Sequence, residues 1–514
     1  MIKNKEIFHS ILLFLIAAII NQYFGNRGLF PHDSASHFDA GYRILNGEHP
    51  IKDYWIISGF IVDYIQSLFF LALGINWQTY VLHASVFNGI LTVVFFHFLR
   101  NLGMDLNKSL FFCICFCTLA YTSSGTPFVD HHSSFFSLLA IFCLISALNF
   151  KKKFYWFIIP VLLALSFLSK PVPALYFIIF IATIIFFNVL SNKDYDSILP
   201  IVFGSTFSII FFLLLLKINN ISLIAFYDQY FLYPKSIGGS RFKNLLNINP
   251  IDLLLQYKFI FLSVFIIIIL NIYQFKKNKD YLKNKKLFNS IIISVAALIL
   301  IFHQTLTKNQ IFIYFIIPVL LGFSFSLANL KKIPSYALIL LCLILTFKYH
   351  LRFNHERKFH ELTNVDFKLS EPARQIDNKL IGLRWITPQR PNDPKEEILE
   401  IKRIKNILLK NENFILLTNY SFFSGILEKK TSNPTRWFTS DGTDFPRKNN
   451  EFKIKYKNLF LNNIKKNNVE KIFIIEPVKS IEIYQYIDKS CFKEKEYLKN
   501  LVELKIIPCK DIKF

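Results

Sequence analysis

Three stretches of this chain hold side chains whose types and spacing could do chemistry. The first reads Pro31-His32-Asp33-Ser34-Ala35-Ser36-His37-Phe38-Asp39-Ala40-Gly41-Tyr42. A carboxylate there could draw the proton from an attacking hydroxyl. Asp33, His37, Gly41 and Ile44 recur at helical spacing while Asp39 faces elsewhere, so a solvated amphipathic surface helix accounts for the same residues. The second stretch, Gly125-Thr126-Pro127-Phe128-Val129-Asp130-His131-His132, sets an acid beside two histidines. These could place an acceptor or, with Asp33, ligate a divalent cation such as magnesium or manganese. Asp130 would equally favour the start of the helix that follows it. In the third, Ser169-Lys170-Pro171, a lysine interrupts an apolar stretch. At membrane depth such a lysine reads as functional, and it could meet a phosphate; at an interface it could simply snorkel to water. Lys235 and Arg241 flank Gly238-Gly239 in a further polar segment, which would suit a loop closing on an anionic substrate or a plain interfacial loop. His303 and Lys308 mark the next polar turn, where a helix-end histidine is the simpler account.

The elements that must carry these residues are set by composition. Of 514 residues, 53% are hydrophobic, with 58 Phe, and the mean hydropathy is +0.37. A soluble domain must keep a polar shell, whereas a bilayer wets apolar side chains all round a helix. The formal charge of +24 is scattered between apolar runs and forms no basic face, which argues for anionic head groups as partners and against nucleic acid.

A spanning helix needs about 20 mostly apolar residues. Runs of that kind occur at 8–24, 79–99, 109–124, 133–150, 154–169, 173–190, 198–216, 259–274, 288–305, 310–328 and 335–347. The run at 56–75 carries Asp63 and Gln66. If it lies on the surface, the lysine-rich joints (Lys3, Lys5, Arg100, Lys108, Lys151–Lys153, Lys193, the Lys276–Lys286 cluster, Lys331, Lys332) all fall on one side. The expectation is therefore about eleven spans, with the N-terminus cytoplasmic and the chemistry-bearing loops outside the cytoplasmic membrane. No small-residue cleavage site follows the first run, so it reads as an uncleaved span.

Residues 1–348 thus read as a membrane domain and 349–514 as a small α/β domain outside the cytoplasm. In the latter, Phe414-Ile-Leu-Leu-Thr and Lys471-Ile-Phe-Ile-Ile suit buried strands, and 480–488 and 494–504 look helical. Cys491 and Cys509 could pair there if the compartment is oxidising; Cys113, Cys115, Cys117, Cys143 and Cys342 sit in apolar runs, where packing explains them.

Arg43-Ile44-Leu45-Asn46-Gly47-Glu48-His49-Pro50-Ile51-Lys52-Asp53 resembles the end of the first outer loop in the GT-C superfamily of integral-membrane glycosyltransferases, such as protein O-mannosyltransferases and the lipid A aminoarabinose transferase. The resemblance covers roughly residues 8–190, places Asp33 at the family's catalytic acidic position and Asp130 at its second one, and makes 56–75 a surface helix. Two departures stand: Ser34 follows Asp33 where the family often has Glu, and a Lys-Pro found in some members after Asp53 is missing. The resemblance implies transfer of a hexose or pentose from a polyprenyl-phosphate carrier to a lipid, glycan or protein acceptor, with Asp33 as base and Lys170 on the donor phosphate, where Lys235 and Arg241 could join it from their own segment. Asp130, His131 and Asp39 would serve the acceptor or an ion. A lipid-diphosphate-dependent polymerase or ligase shares this span count and would rest on outer-loop arginines. A lipid-linked glycan flippase would need polar residues through the spans, which look apolar. No Gly-x-x-x-x-Gly-Lys-Ser/Thr, His-Glu-x-x-His or Gly-x-Ser-x-Gly occurs, which argues against an ATP-driven subunit, a zinc protease or an α/β-hydrolase.

Overall fold

In hydrocarbon every backbone amide must be satisfied within its own segment, which leaves helices for runs of this composition. The computed structural model describes residues 2–245, 249–277, 285–307, 311–327, 332–438 and 443–512. Among them, nine helices are long and apolar enough to cross a membrane: Lys5–Gly25, Trp77–Asn101, Leu106–Ser123, Val129–Phe150, Pro171–Asn192, Tyr195–Ile218, Pro250–Lys277, Lys285–Thr307 and Lys332–His360. Two shorter apolar helices, Lys153–Ser169 and Ile313–Leu327, account for the remaining apolar runs. Helix Phe60–Leu73 has 14 residues. At 1.5 Å per residue it reaches only ~21 Å, short of a hydrocarbon layer of ~30 Å. The architecture is that of a multi-pass helical membrane protein carrying a small C-terminal sheet.

The chain divides into two compact units. The first comprises Met1–Gly25, Val81–Leu213 and Ser240–Thr363. Among the nine long helices the most enclosed is Val129–Phe150, 83% buried over its apolar window, whereas Tyr195–Ile218 is only 11% buried and turns Phe203, Phe207 and Ile210 outward, as a lipid-facing helix does. Aromatic rings tie the core together: Phe98 stacks on Phe142 at 4.4 Å and Phe135 meets Phe315 at 4.7 Å. Lys151, in the left-handed region at φ 52, ends Val129–Phe150, and Lys153–Ser169 packs back along it. Ser166 then reaches Ser133 and Ser137 at 3.2 and 2.8 Å across the helix pair.

The second unit is built from Asn26–Tyr80, Leu214–Gly239 and Asn364–Phe514. After a short antiparallel pair, β1 (Glu371–Pro372) with β2 (Arg384–Trp385), comes a four-stranded sheet. It consists of β3 (Phe414–Leu417), β4 (Lys471–Ile475), β5 (Phe492–Leu498) and β6 (Leu501–Ile506) in the order β3-β4-β6-β5; β3 and β4 are parallel and the other pairs antiparallel. Helix Pro394–Leu409 buries Ile398, Ile401, Ile404 and Leu408, a 3.6-residue stripe. The stretch 494–504, expected to be helical, is instead the hairpin of β5 and β6. Its Lys-Glu-Lys-Glu run suits an exposed strand surface, and Lys499-Asn500 supplies the turn. Of 480–488 only Ile481–Tyr484 forms an α-helix. Cys491 and Cys509 form a disulfide.

Two further expectations are corrected. The stretch from Asp33 to Ile44 is two helices, Pro31–Ser34 and Phe38–Leu45, because the amide of Phe30 donates to Ser34 Oγ (2.9 Å) and closes the first turn, while the amide of His37 turns to the Tyr80 hydroxyl (3.4 Å). Gly238 and Gly239, expected in a loop, lie inside helix Tyr233–Leu245. Lys308 and Lys331 lie outside the described residues, as do Lys279 and Lys283 of the Lys276–Lys286 cluster, and so does the side chain of Arg241, whose backbone belongs to that same helix.

Candidate functional site

In the first unit the chemistry gathers at the start of Val129–Phe150. Phe128 is extended (φ −145, ψ 136) and caps nothing with its side chain, so the chain enters the helix with Asp130 in its first turn. Lys170 sits at the joint between Lys153–Ser169 and Pro171–Asn192, itself extended at φ −158, because Pro171 cannot continue the preceding helix. Its ammonium donates to both carboxylate oxygens of Asp130 at 2.7 Å, and His303 Nε2 lies 3.1 Å from one of them. Side-chain exposure is 3% for Asp130, 0% for His303 and 18% for Lys170.

The two histidines beside Asp130 leave it, since successive helical side chains diverge by about 100°. His131 meets Ser123 Oγ at 3.0 Å and stacks on Phe312 at 4.2 Å. His132 meets the Tyr121 hydroxyl at 2.5 Å and His83 at 3.0 Å. The turn feeding this helix is held from outside it. Arg357, 1% exposed, donates to the carbonyls of Thr122, Ser123 and Ser124 at 3.0, 3.4 and 2.7 Å, a cation set against the carbonyl end of the 3-10 turn Tyr121–Ser123. Asn21 donates to the Gly125 carbonyl at 3.1 Å, and Asn88 to the carbonyls of Ala17 and Cys117.

Among the described residues no three His, Cys, Asp or Glu side chains are grouped to hold a metal ion. At Asp130 the Lys170 ammonium faces both oxygens, in the place a divalent ion would take. The residues present therefore do not fit the magnesium or manganese considered from the sequence.

In the second unit the first polar loop is packed through its own charges. Asp39 is buried, and its carboxylate accepts from the amides of Ser424 (3.1 Å) and Gly425 (2.9 Å) at the start of helix Phe423–Leu427. Burial outweighs those two donors and pushes its pKa up to about 6. Arg43 stacks over Tyr54 at 4.1 Å, bonds Glu48 at 2.7 Å and donates to the Asn433 carbonyl at 2.8 Å. Gly47 supplies φ +75 past the end of Phe38–Leu45. Asp53 accepts from the His49 amide and from Lys466, both at 2.8 Å. The Arg43-to-Asp53 motif is thus a fastening, in which Arg43 holds Glu48 and the Asn433 carbonyl and Asp53 holds Lys466.

No protein-family model matches the chain, and no curated protein matches it.

Beneath that loop lies a cluster that sequence reasoning missed. His37 Nδ1 is 2.5 Å from Asp63, and Arg436 reaches both Asp63 oxygens at 3.2 and 3.3 Å while stacking on Trp437 at 3.7 Å. Burial holds the His37 pKa below its ordinary value, so the ring is neutral, donates from Nδ1 and keeps a lone pair on Nε2. Nε2 is buried with no hydrogen-bond partner among the described residues. Only Asp63 offered a signal: a carboxylate inside an apolar helix needs a partner.

Asp33 itself occupies the four-residue helix Pro31–Ser34, 3.7 Å from His32 Nε2, and its side chain keeps 19% exposure against 0% for Asp63, 4% for Glu48 and 6% for Asp53. Lys235 is exposed on helix Tyr233–Leu245. Of the residues singled out from sequence, the structure brings Asp130 and Lys170 together, adds His303 to them, turns His131 away and commits Asp39 to backbone amides.

Proposed function

We propose that the chain is a membrane glycosyltransferase of GT-C type, moving a sugar from a polyprenyl-phosphate carrier to an acceptor on the outer face of the cytoplasmic membrane. The observation that carries this reading is the accessibility of Asp33. Asp33 keeps the most exposed side chain among Asp33, Glu48, Asp53 and Asp63, at 19% against 4%, 6% and 0%. As general base it takes the acceptor hydroxyl proton while the new bond to the anomeric carbon forms; the sugar–phosphate bond breaks, and the phosphate leaves with the electron pair. The Cys491–Cys509 disulfide suits a C-terminal region in an oxidising compartment outside the cytoplasm. A lipid-diphosphate ligase would rest on arginines, and Arg43 and Arg436 are both buried in ion pairs, so that reading draws less support.

The test is transfer of radiolabelled sugar from polyprenyl phosphate in membranes, across a panel of donors and native acceptor extracts, for wild type and Asp33→Asn at equal expression. Label transferred by wild type and lost in the variant supports both the reaction and the base. Equal transfer by the two removes Asp33 from the reaction.

A further inference from the structure

We propose that a groove at the end of the last span holds an anionic phospholipid drawn from the surrounding bilayer. Helix Lys332–His350 is apolar up to Phe347, and the chain then continues through a π-helical turn, Leu351–His355. Such turns displace side chains from the α-helical register and recur at functional positions. Here the turn belongs to a cavity of about 620 Å³ whose wall includes Phe347, Lys348, Leu351, Arg352, Glu356 and Lys358. Phe347 is 62% exposed and Leu351 39%, an apolar wall of the kind an acyl chain covers.

The charges of the groove point to its occupant. Among the described residues none of Lys348, Arg352, Glu356 and Lys358 is joined in a salt bridge, although salt bridges are common elsewhere in the chain. Lys348 lies 4.6 Å from the Phe259 ring, a contact that positions its ammonium without neutralising it. Three cations against one carboxylate leave the groove positive, directly beside an apolar wall and where the apolar stretch of the span ends. A lipid with a negatively charged phosphodiester head matches both halves: the phosphate between Lys348, Arg352 and Lys358, and the chain along Phe347 and Leu351. A free anion would leave the apolar half uncovered, and a zwitterionic lipid would leave the positive charge unbalanced. This inference does not depend on the transferase reading.

The test places the full-length chain in nanodiscs of phosphatidylglycerol and phosphatidylcholine in equal amounts, followed by mild detergent extraction and native mass spectrometry of retained lipid. Wild type should retain phosphatidylglycerol over phosphatidylcholine. Lys348→Gln, Arg352→Gln and Lys358→Gln should each lower that retention by roughly fivefold, the equivalent of ~1 kcal/mol per cation. Glu356→Gln should raise it, a gain that a folding defect cannot imitate. Equal retention of the two lipids by wild type, unchanged retention after loss of all three cations, or a drop in the Glu356→Gln variant would each overturn the proposal.

Discussion

The Lys170 ammonium and the Asp130 carboxylate meet symmetrically, with both oxygens 2.7 Å from Nζ. Forty positions separate them in the chain, and each is carried to the other by a helix end: Asp130 in the first turn of Val129–Phe150, Lys170 at the break before Pro171. Removing one member of a pair this enclosed leaves an uncompensated charge. Asp130→Asn and Lys170→Met should each cost about 3–5 kcal/mol, and the double variant should be closer to wild type than either single change. Denaturant unfolding in detergent micelles measures this. A double variant as unstable as the sum of the two would show that the pair is not a coupled unit.

Asp39 gives a pH dependence with a definite sign. Its pKa rises from 3.8 to about 6 in the folded chain, so the folded state holds the proton more tightly than the unfolded one. The corresponding stability is fully present below pH 3.8 and is lost as pH climbs through about 6. An Asp39→Asn variant, which does not titrate, should lack this decline, and unfolding followed from pH 4 to 7 compares the two slopes.

His37 works in the opposite direction. Its folded pKa lies below 6.5 because burial disfavours the imidazolium, so its contribution is present above pH 6.5 and is lost as pH falls through the lower folded value. His37→Gln should blunt the acid-side loss of stability. Imidazole titration by nuclear magnetic resonance in a sample labelled at histidine would show His37 still neutral below pH 6.5, where an imidazole of ordinary pKa takes up its proton.

Two glycines should respond with opposite signs. A Cβ on Gly125, at φ +74, would lie 2.6 Å from the Gly25 Cα, so Gly125→Ala combines backbone strain with a backbone collision and should cost on the order of 3 kcal/mol or more. Gly238, inside helix Tyr233–Leu245, has nothing among the described residues within 4 Å of the same position. Gly238→Ala should stabilise by roughly 0.5–1 kcal/mol through lower backbone entropy in the unfolded chain. Melting temperatures of the two variants against wild type decide both.

What could be read in advance follows from which forces are local. The spans were legible because hydrocarbon imposes its length and composition on one segment at a time, from Lys5–Gly25 to the last helix. Strands β3 and β4 were legible for the same reason, as continuous runs buried on both faces. The pairing of β5 with β6 was not, because a Lys-Glu alternation fits an exposed helix or an exposed strand, and only the neighbouring strand decides. The break in the first surface helix depended on Ser34 and Tyr80 hydroxyls. Asp63 and Arg436 are 373 positions apart, and no local pattern couples them. His303 looked like a helix-end histidine, which it is; its contact with Asp130 belongs to packing.

Trp55 exchanges backbone hydrogen bonds with Pro434 and Arg436, and Gly28 and Leu29 pair with Arg384 and Ile386. The unit holding them is assembled from three lengths of chain separated by long membrane-bound stretches. During synthesis Arg43, Asp53 and Asp63 therefore emerge hundreds of residues before Asn433, Lys466 and Arg436 exist. The early loop must wait in an unfinished state, its charges hydrated and its Trp55 and Phe60 uncovered, until the last segment arrives. Ribosome stalling or truncation after the last span, Lys332–His360, and before residue 436 would leave a product whose helices are complete but whose loop is open to proteases, so a check on this chain falls late in its translation.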